Sequence, residues 1–343
     1  MSSSPPSRRE ARAARVAAPV LAVLAVLCLA APGAAAAPAA PTTVPLPDVA
    51  VLPVLDGQIW LVVDVDAGTR PLLPDAVSVT VAGVRQPTTL VPVMSDQLAA
   101  TIVVDASQPG GGQLATWLSG AARFVLEQPA LARTAVVSDA TPPAVLSELR
   151  QGPLDLVKGL NGVQPHGARD TSEALTLAVG QLPTPPAGPR MVILYTGAAD
   201  AGGEASGALA KRLADAHVML VVVTTAGDTR YWSEATRPTG GFLAPAVPSG
   251  AAPAFDQVAT TLQDRYLISF PAPAHLPIQA SVRVNLQDVT LSADVAVPGA
   301  TPGGTGSARD RGLAGATWLK LILWGAAVAG ALALLIGVVL RPR

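Results

Sequence analysis

The sequence predicts an α/β fold, a doubly wound and mostly parallel sheet flanked by a small β-sandwich, with a transmembrane helix near the C-terminus. Three observations predict it. From Ala100 to Pro271, apolar strand-like runs alternate with helical patterns, as in a parallel sheet covered by helices. On either side of that block the hydrophobic period falls to two, the mark of half-buried strands. Leu321 to Leu340 then contains no charged residue, and at 1.5 Å per residue such a helix spans roughly 30 Å, the thickness of the hydrocarbon core.

The elements follow in order. Arg8, Arg9, Arg12 and Arg15 precede an apolar run from Val16 to Ala31, and small residues follow from Ala34 to Ala37. This reads as a signal peptide over 1–36, cleaved after Ala36 or retained as an anchor. The one cysteine, Cys28, lies inside that run, so no intrachain disulfide or cysteine metal site can form. Residues 37–47 are a Pro/Ala/Thr-rich linker. Residues 48–99 carry strand signals: Ile59–Val65 is β-rich, and Val77, Val79 and Val81 alternate with Ser78 and Thr80. Asp66-Ala67-Gly68 punctuates them as a turn.

Residues 100–271 form the α/β domain. Its strands are expected at Thr101–Val104, Thr134–Val137, Met191–Tyr195 and Val218–Thr224. Its helices are expected at Gln113–Gln128, Thr171–Gln181, Ala205–Ala216 and Ala254–Asp264. Glu204 near the start of the third helix, with Lys211 and Arg212 in its later turns, suits the helix dipole. In 272–297 the two-residue period returns at Val282 and Val284 and along Val289–Val297. Isolated hairpins are marginal in water, so the flanking strands are expected to pair into one sandwich with the α/β domain inserted between its halves. Residues 298–315 are a Gly/Thr/Ser-rich linker, 316–340 the membrane helix and 341–343 a cytoplasmic tail. Trp318 and Trp324 mark the outer end of the helix, and Arg341 and Arg343 the inner end. Gly325, Ala329, Ala333 and Gly337 recur every four residues. They form either a face for close helix–helix packing or a by-product of the Ala/Gly composition. The net charge of -1 gives no basis for nucleic-acid binding.

The chemistry gathers at Ala100–Thr116. A β-branched run ends on Asp105, Ser107 follows, and a Pro-Gly-Gly-Gly loop leads into a helix. Ligands of open α/β sheets bind beyond such strand ends. Two phosphate-loop patterns are discounted. Gly110, Gly112 and Ala115 begin some residues past the strand, and Gly202 to Gly207 has Ala208 where a lysine is required. His166, His217 and His275 have neither metal nor triad spacing, and no G-x-S-x-G elbow occurs.

At Asp105 and Ser107 the chain resembles the von Willebrand factor type A (VWA) family, over Ala100 to Pro271 or roughly half of its length. The resemblance implies a divalent cation, Mg²⁺ or Mn²⁺, held by a D-x-S-x-S loop, a Thr from a second loop and an Asp from a third. Hard oxygens suit such a cation. Asp105, Ser107 and Thr171 are the candidate metal ligands. The site is degenerate: Pro109 replaces the second Ser, Arg169 stands at the Thr position and Gly197 replaces the acid. An ion pair between Arg169 and Asp105 is the alternative to the metal. The resemblance implies an exported, membrane-anchored, non-enzymatic module of the bacterial cell envelope, with a protein partner and no cofactor. The alternatives are an exported hydrolytic or nucleotide-dependent enzyme using the same loops, and an accessory component of a secretion or pilus assembly system.

Overall fold

The computed structural model describes residues 42–299, apart from 69–70, 185–187, 248–249 and 288. The signal peptide, the C-terminal linker from residue 300 and the expected membrane helix all lie outside the described residues, as do Gly325, Ala329, Ala333 and Gly337. No helix among the described residues is long and apolar enough to cross a membrane.

Continuous apolar runs build the central sheet. Strands β7 (Ala99–Asp105), β10 (Arg190–Thr196) and β11 (Met219–Thr224) are buried at every position. With β8 (Arg133–Asp139), β9 (Ala144–Gln151) and β12 (Phe242–Pro245) they form six strands in the order β12-β11-β10-β7-β8-β9. All neighbours are parallel except the β8/β9 edge pair. Successive side chains divide between two cores, because strand side chains alternate faces. Ile102, Val104 and Ile193 pack with α1 (Leu114–Glu127), α2 (Leu154–Asn161) and α6 (Ala252–Gln263). Val103, Val192 and Leu194 pack with α3 (Thr171–Gly180), α4 (Ser206–Asp215) and α5 (Arg230–Thr236).

The flanking strands form two sheets. One has the order β1-β15-β14-β4-β5 and joins Thr42–Pro45, Val289–Val297, Ile278–Leu286, Val77–Val81 and Val84–Gln86. The other, β2-β3-β13-β6, joins Ala50–Leu55, Gln58–Asp64, Arg265–Pro271 and Thr89–Pro92. Ile59, Leu61, Ile268 and Phe270 from the second meet Val79, Val282 and Val284 from the first in one core, so the two sheets are a sandwich. Ile59–Val65 and Val289–Val297 thus share that core from opposite sheets.

Two expectations need correction. Arg265–Pro271 was assigned to the α/β domain, yet β13 pairs antiparallel with β3 and β6 in the sandwich. And β3 is not half-buried: its other face, with Val62, Leu52 and Leu267, packs into the α/β core. One arginine of the sandwich fastens this junction. Arg265 donates from Nε and Nη2 to Asp64 at 2.6 and 2.7 Å and from Nη1 to the Gly240 carbonyl at 2.6 Å, its guanidinium lying 4.7 Å from the centre of the Phe242 ring.

Candidate functional site

The site lies where the parallel strands end. Asp105 closes β7 and Asp139 closes β8, paired in register and both fully buried. Their charges need partners, because an unpaired buried carboxylate is costly.

Asp105 receives five donors. Its Oδ1 accepts from Ser107 Oγ at 2.5 Å and from the Ser107 amide at 3.2 Å. Its Oδ2 accepts from Arg169 Nη2 at 2.6 Å, Arg169 Nε at 3.0 Å and the Gly197 amide at 3.4 Å. The Arg169 side chain is a quarter exposed, so it spans from the buried carboxylate to the surface. Local chain geometry enforces the arrangement. The Gly110 amide donates to Ser107 Oγ at 3.2 Å, and a Cβ on Gly110 would sit 2.3 Å from Asp105 Oδ1, so only glycine fits against this carboxylate. The loop carrying Arg169 is held by backbone bonds from Gln108 to Gly167 and from His166 to Ala106. Gly167 has φ 59°, and a Cβ there would meet the Thr141 carbonyl at 2.4 Å.

Thr171 is placed elsewhere. Its hydroxyl donates to Asp139 Oδ2 at 2.5 Å, while the Asp170 amide donates to Asp139 Oδ1 at 2.8 Å. Asp139 is the residue that sequence reasoning missed. Its signal was present: the run Thr134–Val137 is followed by Ser138-Asp139, an apolar strand ending on an acid as β7 does. Burial pushes the Asp139 carboxyl above its ordinary value, against the two hydrogen bonds, and neighbouring Asp105 adds to the rise.

Of the candidate ligands, the structure therefore joins Asp105 and Ser107 and directs Thr171 to Asp139. The donor set does not suit a divalent cation. Both oxygens of Asp105 already accept hydrogen bonds, a guanidinium rests on one of them, Pro109 offers no side-chain oxygen, and Gly197 contributes an amide in place of an acid. Asp200, the nearest acid in the third loop, is exposed and accepts from the Gly202 amide at 2.9 Å. Among the described residues no three His, Cys, Asp or Glu side chains gather closely enough to hold a metal ion. Among the described residues the partners of Ser107 Oγ are Asp105 and Gly110, with no histidine, and exposed His166 meets the Gln164 carbonyl.

The rim of the site is fixed by a second network. Arg212 donates to Glu204 at 3.1 and 2.7 Å, Ser172 Oγ donates to Glu204 at 2.9 Å, and Tyr231 donates to the Glu204 carbonyl at 2.7 Å. These bonds tie the loop after β10 to α3, α4 and α5. Arg212 holds the Glu204 carboxyl below its ordinary value. Across the loops, Thr225 Oγ1 donates to Gln113 Oε1 at 2.6 Å.

No family model matches the chain, and no curated protein does. Solved structures are similar in fold. One is a von Willebrand factor type A protein from Catenulispora acidiphila, 9% identical, covering 74% of this chain and 73% of that chain at a TM-score of 0.45. Another is the conserved hypothetical protein BatB from Bacteroides thetaiotaomicron, 12% identical, covering 48% of this chain and 97% of that chain at 0.41. A third is proximal thread matrix protein 1 from the mussel byssus, with a zinc-occupied MIDAS motif. It is 16% identical, covers 54% of this chain and 50% of that chain, and has a TM-score of 0.45.

Proposed function

We propose that this chain, whose α/β body has the VWA-type fold, is an extracytoplasmic, membrane-anchored protein-binding or assembly module of the cell envelope that works without a metal ion. The observation that carries the reading is the saturated carboxylate of Asp105, with Arg169 on it at 2.6 Å. In a site of this architecture the cation offers a partner its point of attachment. Here a side chain of the same chain supplies the positive charge, so the site is complete as folded. Fixed loops at the strand ends then present shape and hydrogen bonds to a protein surface. The Glu204 network holds those loops in place, which lowers the ordering cost of docking. The basic, apolar N-terminus and the uncharged stretch Leu321–Leu340 support export and anchoring.

The test is site-directed photocrosslinking from Gln108, an exposed residue beside the site, in intact cells. A crosslinked protein product that is unchanged by EDTA and lost in Arg169→Ala is the expected result. A product that disappears on chelation refutes metal independence, and a probe that captures no protein refutes the docking face.

A further inference from the structure

We propose that the junction between the sandwich and the α/β body binds one small anion of the halide class, in a cavity built by Arg190, Trp60 and His217. The cavity measures about 20 Å³ and is completed by Leu52, Gly188, Met219 and Leu267. One water-sized sphere needs on the order of 10–15 Å³, so the cavity excludes any guest larger than a single small ion or water.

Unsatisfied polar atoms concentrate here. Five enclosed side-chain nitrogen or oxygen atoms lack a hydrogen-bond partner among the described residues, and three of them, Trp60 Nε1, Arg190 Nε and His217 Nε2, belong to this cavity. Indole and guanidinium nitrogens donate and never accept, so the guest must be an acceptor.

Charge points the same way. Arg190 is only 6% exposed, and among the described residues its side chain makes one hydrogen bond, from Nη1 to the Ala216 carbonyl at 2.7 Å. None of the ion pairs among the described residues includes it. Arg265, also 6% exposed, is matched by Asp64. A buried charge without a counter-ion is costly, and an anion beside Arg190 removes that cost.

His217 sets the pH dependence. It adopts left-handed backbone at φ 51°, rare for a non-glycine residue, and its ring meets Trp60 edge-on at 6.2 Å. Burial holds the imidazole below its ordinary value. Arg190 pushes the same way, while the Pro53 carbonyl, Asp215 and Asp56 oppose it. An anion in the cavity offsets Arg190, so anion uptake draws a proton onto His217 and turns Nε2 into a third donor. Neutral His217 accepts a hydrogen bond at Nε2 and suits water instead.

The experiment is thermal denaturation of the full-length chain across a chloride series, with gluconate holding ionic strength constant. The melting temperature is expected to rise with chloride, and to rise more at mildly acidic pH than above neutrality. Trp60→Phe keeps an aromatic side chain, removes the donor and enlarges the cavity. It is expected to weaken chloride binding about tenfold, the loss of one hydrogen bond to a charged group. A wild-type melting point indifferent to chloride overturns the proposal, as does an equal response in Trp60→Phe. Crystals of the wild-type protein grown in bromide give a reading that needs no variant. An anomalous peak between Trp60 and Arg190 supports the site, and a water there overturns it.

Discussion

Replacing Arg169 with alanine removes two charge-assisted hydrogen bonds from the buried carboxylate of Asp105, at 2.6 and 3.0 Å. Each bond of this kind contributes about 1.5–3 kcal/mol, which bounds the loss at roughly 3–6 kcal/mol. Two features move the value to the lower end. Ser107 Oγ, the Ser107 amide and the Gly197 amide stay on the carboxylate, and the Arg169 side chain is a quarter exposed and so partly screened. The expected destabilisation is about 3 kcal/mol. For a folded unit of this size that lowers the melting temperature by roughly 6–12 °C. Arg169→Lys restores the charge but not the second donor, and is expected to recover about half of the loss. The assay is thermal denaturation of wild type and both variants, in EDTA and in saturating Mg²⁺. An Arg169→Ala protein as stable as wild type would refute the structural role of the pair. A wild-type melting point that rises with Mg²⁺, and stops rising in Asp105→Ala, would refute the metal-free reading.

Four further outcomes are expected. Gly110→Ala forces a Cβ to within 2.3 Å of Asp105 Oδ1 and should cost about 1–3 kcal/mol in chemical denaturation, whereas Gly112→Ala, with open space around it, should stay within about 0.5 kcal/mol. Pro109→Ser, Arg169→Thr and Gly197→Asp together should create Mg²⁺-dependent stabilisation, since a Cβ on Gly197 meets nothing nearer than 3.6 Å; a melting point insensitive to Mg²⁺ would count against the assignment of these positions. Glu204 is held below its ordinary 4.5, so its stabilisation is present above that value and lost as pH falls through the lower folded-state value; Asp139 is raised above 3.8, so stability falls as pH rises through its folded-state value. Melting temperature against pH should show the acid-side loss flattened in Glu204→Gln and the opposite slope flattened in Asp139→Asn, and unchanged profiles would contradict the two environments. Protease added to intact spheroplasts should digest residues 37–316, and full protection would disprove the extracytoplasmic placement.

The parts of the fold legible in the sequence are those with unbroken patterns. Strands β7, β10 and β11 stand out because both faces are covered, and α1, α3, α4 and α6 because each buries one stripe. Edge elements carried too little pattern. β9 is nowhere fully buried, and β12 has four residues, so neither shows a readable period. β13 misled for a different reason: a strand buried on both faces reads alike in either sheet, and only its pairing with β3 assigns it. At the site, Asp105, Ser107 and Arg169 were legible from motif spacing. The bond from Thr171 to Asp139 was not, because it joins residues 32 apart through the packing of α3 on β8.

The pairing of β3 with β13 has a consequence for the order in which the molecule is made. Asp64 and Arg265 are 201 residues apart, and β3 cannot meet β13 until the α/β body between them has been synthesised. The strands of that body are complete at Pro245, ahead of β13. The early strands β2 and β3 are therefore made long before β13, and until it arrives the surfaces available to them are β4, which brings Val77 and Val79 to the sandwich core, and the flank of the body that receives Leu52 and Val62. Seen from the ribosome, the inserted segment becomes the platform on which the older strands wait for β13, β14 and β15 to arrive and close the sandwich.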